Sequence, residues 1–310
     1  MFFHKRNKSL LVITSYYNPC KYETRKINFD KFLNGLKKQG VECLTVECVF
    51  EDQEYELDPS KYNVIQLRTN TVLWQKERLL NLAAKYAEDC VENIAWIDAD
   101  LIFENDNWAQ DLTKVLKKSP IAQTWQSCER LSKSGKSYPI PDVAWSFAHA
   151  MNQDSTLMEK QRYDAHGHTG YGWAMKKSIF EELGLYEEAI SGSADHFMAH
   201  AIFNNYNHCI VNALKQDPTQ IRHLQEWGAK FYSLVKGNLG VVPGHIKHLW
   251  HGEPGDRRYF LRMHDITDLG FNPYLDIEKP YGRPLEWAAC CNKPELKQYF
   301  KNYFESRKED

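Results

Sequence analysis

Three apolar runs, each ending in polar or acidic residues, constrain what this chain can fold into more than any other feature. Residues 9–15 read SLLVITS, residues 41–50 read VECLTVECVF and residues 93–98 read NIAWID. Continuous aliphatic runs of this length fit strands buried on both faces of a sheet, which need helices to cover them. The intervening sequence supplies those helices. YYNPCKYETRKINFDKFLNGLKKQG reads as a loop and then a helix, with Ile27, Phe29, Phe32, Leu33 and Leu36 on one face and Gly40 at its end. YNVIQLRT, 62–69, reads as a further strand, and WQKERLLNLAAKYAEDC, 74–90, as a helix with Leu79, Leu80, Ala83 and Ala87 inward. The order β-α-β-β-α-β predicts an α/β fold with a doubly wound sheet and helices on both faces. In such sheets ligands bind outside the carboxyl ends of the strands, which is where Ser15, Glu47 and Asp98 fall.

The remainder is less regular. Residues 119–170 read as long loops with one helix near 146–158. GYGWAMKKSIFEELG reads as a strand running into a helix, and SADHFMAHAIF as a helix with Ser193 or Asp195 as its cap. VPGHIKHLWHGEPGDRRYFLR reads as a strand followed by a Gly-rich turn. The tail, 285–306, reads as helical, with an apolar stripe of Leu296, Tyr299, Phe300, Tyr303 and Phe304. That stripe packs on the rest of the chain or lies against a membrane surface.

Composition excludes several classes. With 39 basic and 41 acidic residues, the formal charge of −2 calls for neither nucleic acid nor an anionic membrane. The 8 cysteines include no CxxC pair, so a zinc ribbon is not expected; several sit in apolar runs as reduced, buried side chains. The N-terminal MFFHKRNKSLLVIT is too short and polar for a signal peptide, and no apolar stretch approaches the roughly 18–20 residues of a membrane span. A cytoplasmic location is the expectation.

The chemistry centres on NIAWIDADLIFEN, 93–105, where Asp98 and Asp100 stand at the end of a buried strand. Removing a carboxylate from water is costly unless something compensates it. At a strand end, paired hard oxygen ligands suit Mg²⁺ or Mn²⁺, which keep positions open for phosphate oxygens.

These residues resemble the nucleotide-sugar glycosyltransferases of the GT-A fold, in their DxD-bearing, family 2-like form. VITSYYNP is similar to the family's first strand and nucleotide-contacting loop, which gives Thr14, Ser15 and Tyr16, with Arg25 beyond, as donor-binding residues. Glu47 stands where the family places an acid near the nucleobase, and in LWQKERLLNLA Lys76 or Arg78 would approach the nucleotide. GHTGYGWAMKKSIFEELGLYEE resembles the segment lining the donor sugar and acceptor, implying a pocket of His168, Gly170, Tyr171, Gly172 and Trp173, with His166 nearby and His196 beyond. GSADHFM resembles the segment that supplies a catalytic base, here Asp195, although the family's two adjacent acids are replaced by Ala194-Asp195-His196. In HIKHLWHGEPGDRRY, the resemblance implies His251 as a metal ligand with Asp100 and Asp98, Asp98 touching the ribose or a metal-bound water. Arg257 or Arg258 would neutralise the diphosphate, and His245 and His248 are read as structural. Residues 1–265 would form the catalytic domain, 1–110 binding nucleotide and 111–265 the donor sugar and acceptor. Residues 266–310 would pack on it as an extension.

The activity implied is Mn²⁺- or Mg²⁺-dependent transfer from a nucleotide-sugar, a UDP-sugar above others, to a glycan, lipid or protein hydroxyl. Asp195 as base implies inversion, with retention the alternative. A nucleotidyl- or phosphotransferase and a non-catalytic sugar-binding protein are the other classes; the first would want a GxxxxGK[ST] loop, which is absent. His196 and His200 share zinc-binding spacing, but without the HExxH glutamate a zinc peptidase is not expected.

Overall fold

The computed structural model describes residues 9–138, 145–160, 165–259 and 261–310; residues 1–8, which hold most of the N-terminal segment discussed above, lie outside it. The chain begins β1 (Leu10–Tyr17), α1 (Glu23–Lys38), β2 (Cys43–Phe50), β3 (Val64–Thr69), α2 (Lys76–Ala84), β4 (Asn93–Ile97) and β5 (Leu101–Phe103). It continues α3 (Trp108–Leu116), β6 (Ile121–Gln123), β7 (Ser127–Arg130), α4 (Phe147–Gln153), a 3-10 turn at Ser155–Lys160, β8 (Gly172–Lys176), α5 (Lys177–Leu183) and α6 (Ala194–Ile202). It ends α7 (His208–Ala213), α8 (Pro218–Val235), β9 (Leu239–Val241), β10 (His245–His248), α9 (Leu261–Asp268), β11 (Ile277–Glu278), β12 (Glu286–Trp287) and α10 (Pro294–Ser306).

The expected doubly wound mixed sheet is present, in the order β3-β2-β1-β4-β8-β6-β9. β1 lies parallel to β2 and β4, and β8 runs antiparallel to β4 and β6. Alternation along β1 sends its side chains to two cores. Val12 meets Phe32 and Leu36 of α1 and Trp108 and Leu112 of α3. Ile13 belongs with Leu79 and Leu80 of α2, Phe180 of α5 and Phe231 of α8 on the opposite face. The winding reverses at β1, which opens a crevice at the carboxyl ends of β1 and β4. A second sheet, β5-β10-β7, pairs β5 antiparallel with β10, so that Leu101 faces His248.

Several helices differ from expectation: α3, α7, α8 and α9 were not read from the sequence, and α2 and α10 have other bounds. α2 stops at Ala84 rather than 90, because Lys85, Tyr86 and Ala87 donate three residues back and tighten the last turn. α10 starts only at Pro294, a residue suited to a first helical turn; 286–287 pairs with β11 instead. α8 was not anticipated, although Asp217 accepts from Gln220 N (2.8 Å) with Pro218 following it. Leu296, Phe300, Tyr303 and Phe304 of the α10 stripe are buried in the chain's own core. Among the described residues no helix is long and apolar enough to cross a membrane.

At β8, a Cβ on Gly172 would lie 2.4 Å from Thr124 Oγ1, a buried hydroxyl with no hydrogen-bond partner. Gly172→Ala should therefore cost about 1–3 kcal/mol by overpacking. Thr124→Ala in the same chain should recover most of that loss in a urea-denaturation double-mutant cycle, whereas additive effects would show that the clash is relieved elsewhere.

Candidate active site

The crevice at the ends of β1 and β4 collects most of the residues singled out in the sequence. Thr14, Ser15, Tyr16, Arg25, Lys76, Asp98, Asp100, His168, Gly170, Tyr171, Asp195, His196, His251 and Arg257 all line it. β4 ends at Ile97, and the turn that follows carries Asp98 and Asp100. Tyr171, directly before β8, fixes this turn. Its backbone is left-handed (φ 82°), strained for a side-chain-bearing residue, and its carbonyl accepts from Asp98 N at 2.8 Å.

The two aspartates have different partners. Asp98 pairs with Lys76 Nζ at 2.6 Å, and Lys76 also reaches to within 3.9 Å of Asp195. Burial pushes the Asp98 carboxyl upward, with Asp100 and Asp195 adding to the effect, against the pull of Lys76. Burial opposes the Lys76 ammonium, but Asp98, Asp195 and Glu77 outweigh it and hold the lysine above its ordinary value. Asp100 turns the other way. Its Oδ2 lies 2.6 Å from His251 Nδ1 and 3.7 Å from His248 Nε2. Burial would raise this carboxyl, but His248, His251 and Arg257 hold it well below the usual carboxylate range.

Asp100 Oδ1 is buried and has no hydrogen-bond partner. One ligand atom from each of Asp100, His248 and His251 lies within 4.8 Å of the others, close enough to share a cation. The donors thus fit a divalent ion. Two imidazoles weigh toward a transition ion such as Mn²⁺ over Mg²⁺, which demands oxygen. Two points depart from the sequence reading. His248, read as structural, is the third donor, because β10 pairs with β5 directly after Asp100, and Leu249 N donates to Asp100 O at 2.8 Å. Asp98, expected among the ligands, is held by Lys76 instead.

One wall is cationic. Arg25, Arg257 and Arg307 converge on Glu309, which is fully buried. Burial would raise the Glu309 carboxyl; the three guanidiniums outweigh it and hold it well below the usual range. One carboxylate cannot satisfy all their donors. Arg257 Nε, Arg262 Nε and Arg307 Nε and Nη1 are buried without partners. Sequence reading missed Arg262, Arg307 and Glu309 in the cleft, since they belong to segments read as a Gly-rich turn and as the tail. Asp310 adds a further tie, accepting from Glu23 N and Thr24 N (3.1 and 2.8 Å) at the start of α1.

The opposite wall joins α6 to the loop before β8. Asp195 stands in the first turn of α6, and its capping position is Ser193, whose side chain makes no capping bond. A Cβ on Gly170 would meet His168 Cε1 at 2.9 Å and Asp195 Oδ2 at 3.0 Å, so glycine permits this approach. The Tyr171 ring stacks on His168 (4.1 Å between centroids) and packs against His248 (4.6 Å), while its hydroxyl accepts from Arg130 Nε at 2.7 Å.

Five candidates lie outside the lining. Glu47 accepts from Leu57 N and Gln66 Nε2 and so fastens the 56–57 loop. Arg78 pairs with Glu187 and donates to Arg283 O. Arg258 pairs with Asp265 (2.9 Å) at the surface. Gly172 and Trp173 are buried within β8, where the Trp173 indole donates to Thr169 O at 2.7 Å.

No family model matches the chain. No curated protein matches it either. Solved structures similar to it include the catalytic domain of Drosophila β1,4-galactosyltransferase 7 in complex with xylobiose (15% identity, 61% of this chain and 58% of that one, TM-score 0.31). Others are mannosyl-3-phosphoglycerate synthase from Rubrobacter xylanophilus (11%, 84% and 72%, 0.45) and 4-diphosphocytidyl-2C-methyl-D-erythritol synthase from Anaerococcus prevotii (9%, 76% and 90%, 0.37). The chain spans 58% of the length of the first. At these scores the likenesses carry no argument about chemistry, and the fold rests on the strand order and register described above.

The guanidinium cluster makes a prediction about pH. The depressed Glu309 carboxyl contributes stability that is fully present above its unfolded-state pKa, about 4.3, and is lost as pH falls toward its folded value. Glu309→Gln should cost on the order of 3 kcal/mol at neutral pH by leaving buried Arg257 and Arg307 and half-buried Arg25 without their anion. In chemical denaturation the gap from wild type should narrow below about pH 4; a gap constant with pH would place the cost in packing.

Proposed function

We propose that this chain is a metal-dependent glycosyltransferase that moves a sugar from a nucleotide-sugar, a UDP-sugar, to an acceptor hydroxyl on a glycan, lipid or protein, with inversion. One observation carries the reading. In a single cleft, a three-donor cation cluster with a buried, unpartnered carboxylate oxygen faces buried guanidinium donors that also lack partners. A diphosphate chelating a divalent ion satisfies both sets at once.

Asp100, His248 and His251 would hold the cation, which when bound supplies positive charge to stabilise the leaving diphosphate. The chain's own groups do the rest. Arg257, Arg262 and Arg307 offer charge-assisted hydrogen bonds to phosphate oxygens. Thr14, Ser15 and Tyr16 at the end of β1 line the nucleoside side. Lys76, set between Asp98 and Asp195, orients both carboxylates and moderates their repulsion. Tyr171 and Trp74 line the cleft where the sugar would lie. Asp195 takes the proton from the acceptor hydroxyl as that oxygen attacks the anomeric carbon.

A panel of UDP-, GDP- and CDP-sugars tests the reading. With Mn²⁺, the enzyme should release nucleoside diphosphate from one member, and EDTA should stop the release. Turnover of a nucleoside triphosphate to pyrophosphate would assign the cleft to nucleotidyl transfer instead. Asp195→Asn should lower kcat by about 10²–10⁴-fold with donor Kd unchanged. Transfer at near wild-type rate would remove Asp195 as the base and with it the case for inversion.

A further inference from the structure

A second donor cluster borders the cleft, which it touches through His196, and has no assigned role in the reaction proposed above. α6 carries Asp195 into the cleft, and its next residue, His196, together with His200 one turn on, enters a group with buried His166 and half-buried Cys209. One donor atom from each of the four lies within 4.8 Å of the others. Cys209 Sγ is 3.3 Å from His196 Nε2 and 3.9 Å from His166 Nε2. The ring centroids of His166, His196 and His200 are 4.7–5.4 Å apart.

Three imidazoles and a thiol crowded together in a core are an unfavourable way to fill space with apolar packing. They are a familiar way to surround a metal. In a tetrahedral zinc site, Zn–N and Zn–S bond lengths put nitrogen and sulfur about 3.5 Å apart, between the two distances seen here. The outer contacts agree. His200 Nδ1 lies 2.8 Å from Asn205 O, which fixes the tautomer with its proton there. Its Nε2 then carries a lone pair, and this atom is fully buried without a hydrogen-bond partner. His166 Nδ1 lies 3.1 Å from Gly167 O in the same manner. Gly167 is left-handed (φ 77°), and a Cβ there would strike Ser146 O at 2.7 Å, so the backbone beside His166 is pressed against the start of α4. Cys209 is not in a disulfide.

We propose that His166, His196, His200 and Cys209 form a structural Zn²⁺ site. Sulfur with three nitrogens favours zinc over the oxygen-seeking Mg²⁺ and Ca²⁺. Four protein donors leave no open position, so the ion acts as a brace and not a catalyst. On binding, the Cys209 thiol loses its proton to solvent as the Zn–S bond forms, and no other bond breaks. The brace joins α6, α7 and the loop at 165–170. It thereby sets the spacing between Asp195 and the His168–Gly170–Tyr171 wall. This inference stands independently of what the cleft transfers.

Cobalt is the probe. Elemental analysis of the purified chain should find one zinc per chain that survives washing with excess Mg²⁺. Exchange for Co²⁺ should give intense visible bands of tetrahedral cobalt and a near-ultraviolet thiolate-to-cobalt band. Cys209→Ser should lose the thiolate band, and Asp100→Ala, which alters only the other cluster, should keep it. A folded wild-type chain that takes up Co²⁺ without a thiolate band overturns the site, as does loss of the band in Asp100→Ala. Should Cys209→Ser fail to fold, His200→Gln retains the thiol and should weaken the Co²⁺ titration of that band about tenfold or more; an unchanged titration would overturn the assignment.

Discussion

Asp100 answers two demands that conflict without a cation. One oxygen is bonded to His251, while the other is buried with no hydrogen-bond partner. Orphaning a buried carboxylate oxygen is costly, and folds keep such atoms where something else supplies the missing contact. The antiparallel pairing of β5 with β10 creates this arrangement. It sets His248 opposite Leu101 and the following turn, with His251, over the end of β4. Without that pairing, Asp98 and Asp100 would be two acids on a loop. With it, one aspartate belongs to an imidazole pair and the other to Lys76. A candidate cation site and a polar bridge toward Asp195 therefore grow from positions two apart in one turn.

The rest of the cleft is arranged around that division. The tail closes the cationic wall with Glu309 and supplies Arg307 to it, so residues far apart in sequence form one electrostatic unit with Arg25 and Arg257. A single carboxylate balances the cluster in part and keeps three like charges together without saturating them. The buried stripe of α10 fastens this unit, with Phe304 against Trp74 and Tyr17. On the other side, α6 and the loop before β8 bring Asp195 and His168 each close against Gly170. The cluster of His166, His196, His200 and Cys209 lies where those two elements meet α7.

The parts legible in the sequence were those with local signatures. Continuous apolar runs marked β1, β2 and β4, and acids directly after such a run marked Asp98 and Asp100. Glycines interleaved with aromatics marked the His168–Tyr171 wall. The parts that escaped depend on pairing between distant segments. β5, β7 and β10 are only three or four residues long, and nothing local says that His248 faces Asp100. Glu47 and Arg78 show the converse: a charged residue near a strand end or a helix start looks like a ligand group until partners in distant segments account for it. Gly172 and Trp173 belong to the same motif as Tyr171, but they lie within β8, an interior strand covered on both faces. α8 carries a readable start in Asp217 and Pro218.

Calorimetric titration of UDP into the protein, with Mn²⁺ and again with EDTA, tests the central claim most directly. Saturable binding should appear with Mn²⁺, vanish with EDTA and weaken at least about tenfold in His248→Ala, where the third donor is removed. Equal binding in EDTA, or no binding of UDP at millimolar concentration, would contradict a cleft in which Asp100, His248 and His251 and the facing arginines together hold a metal-bound diphosphate.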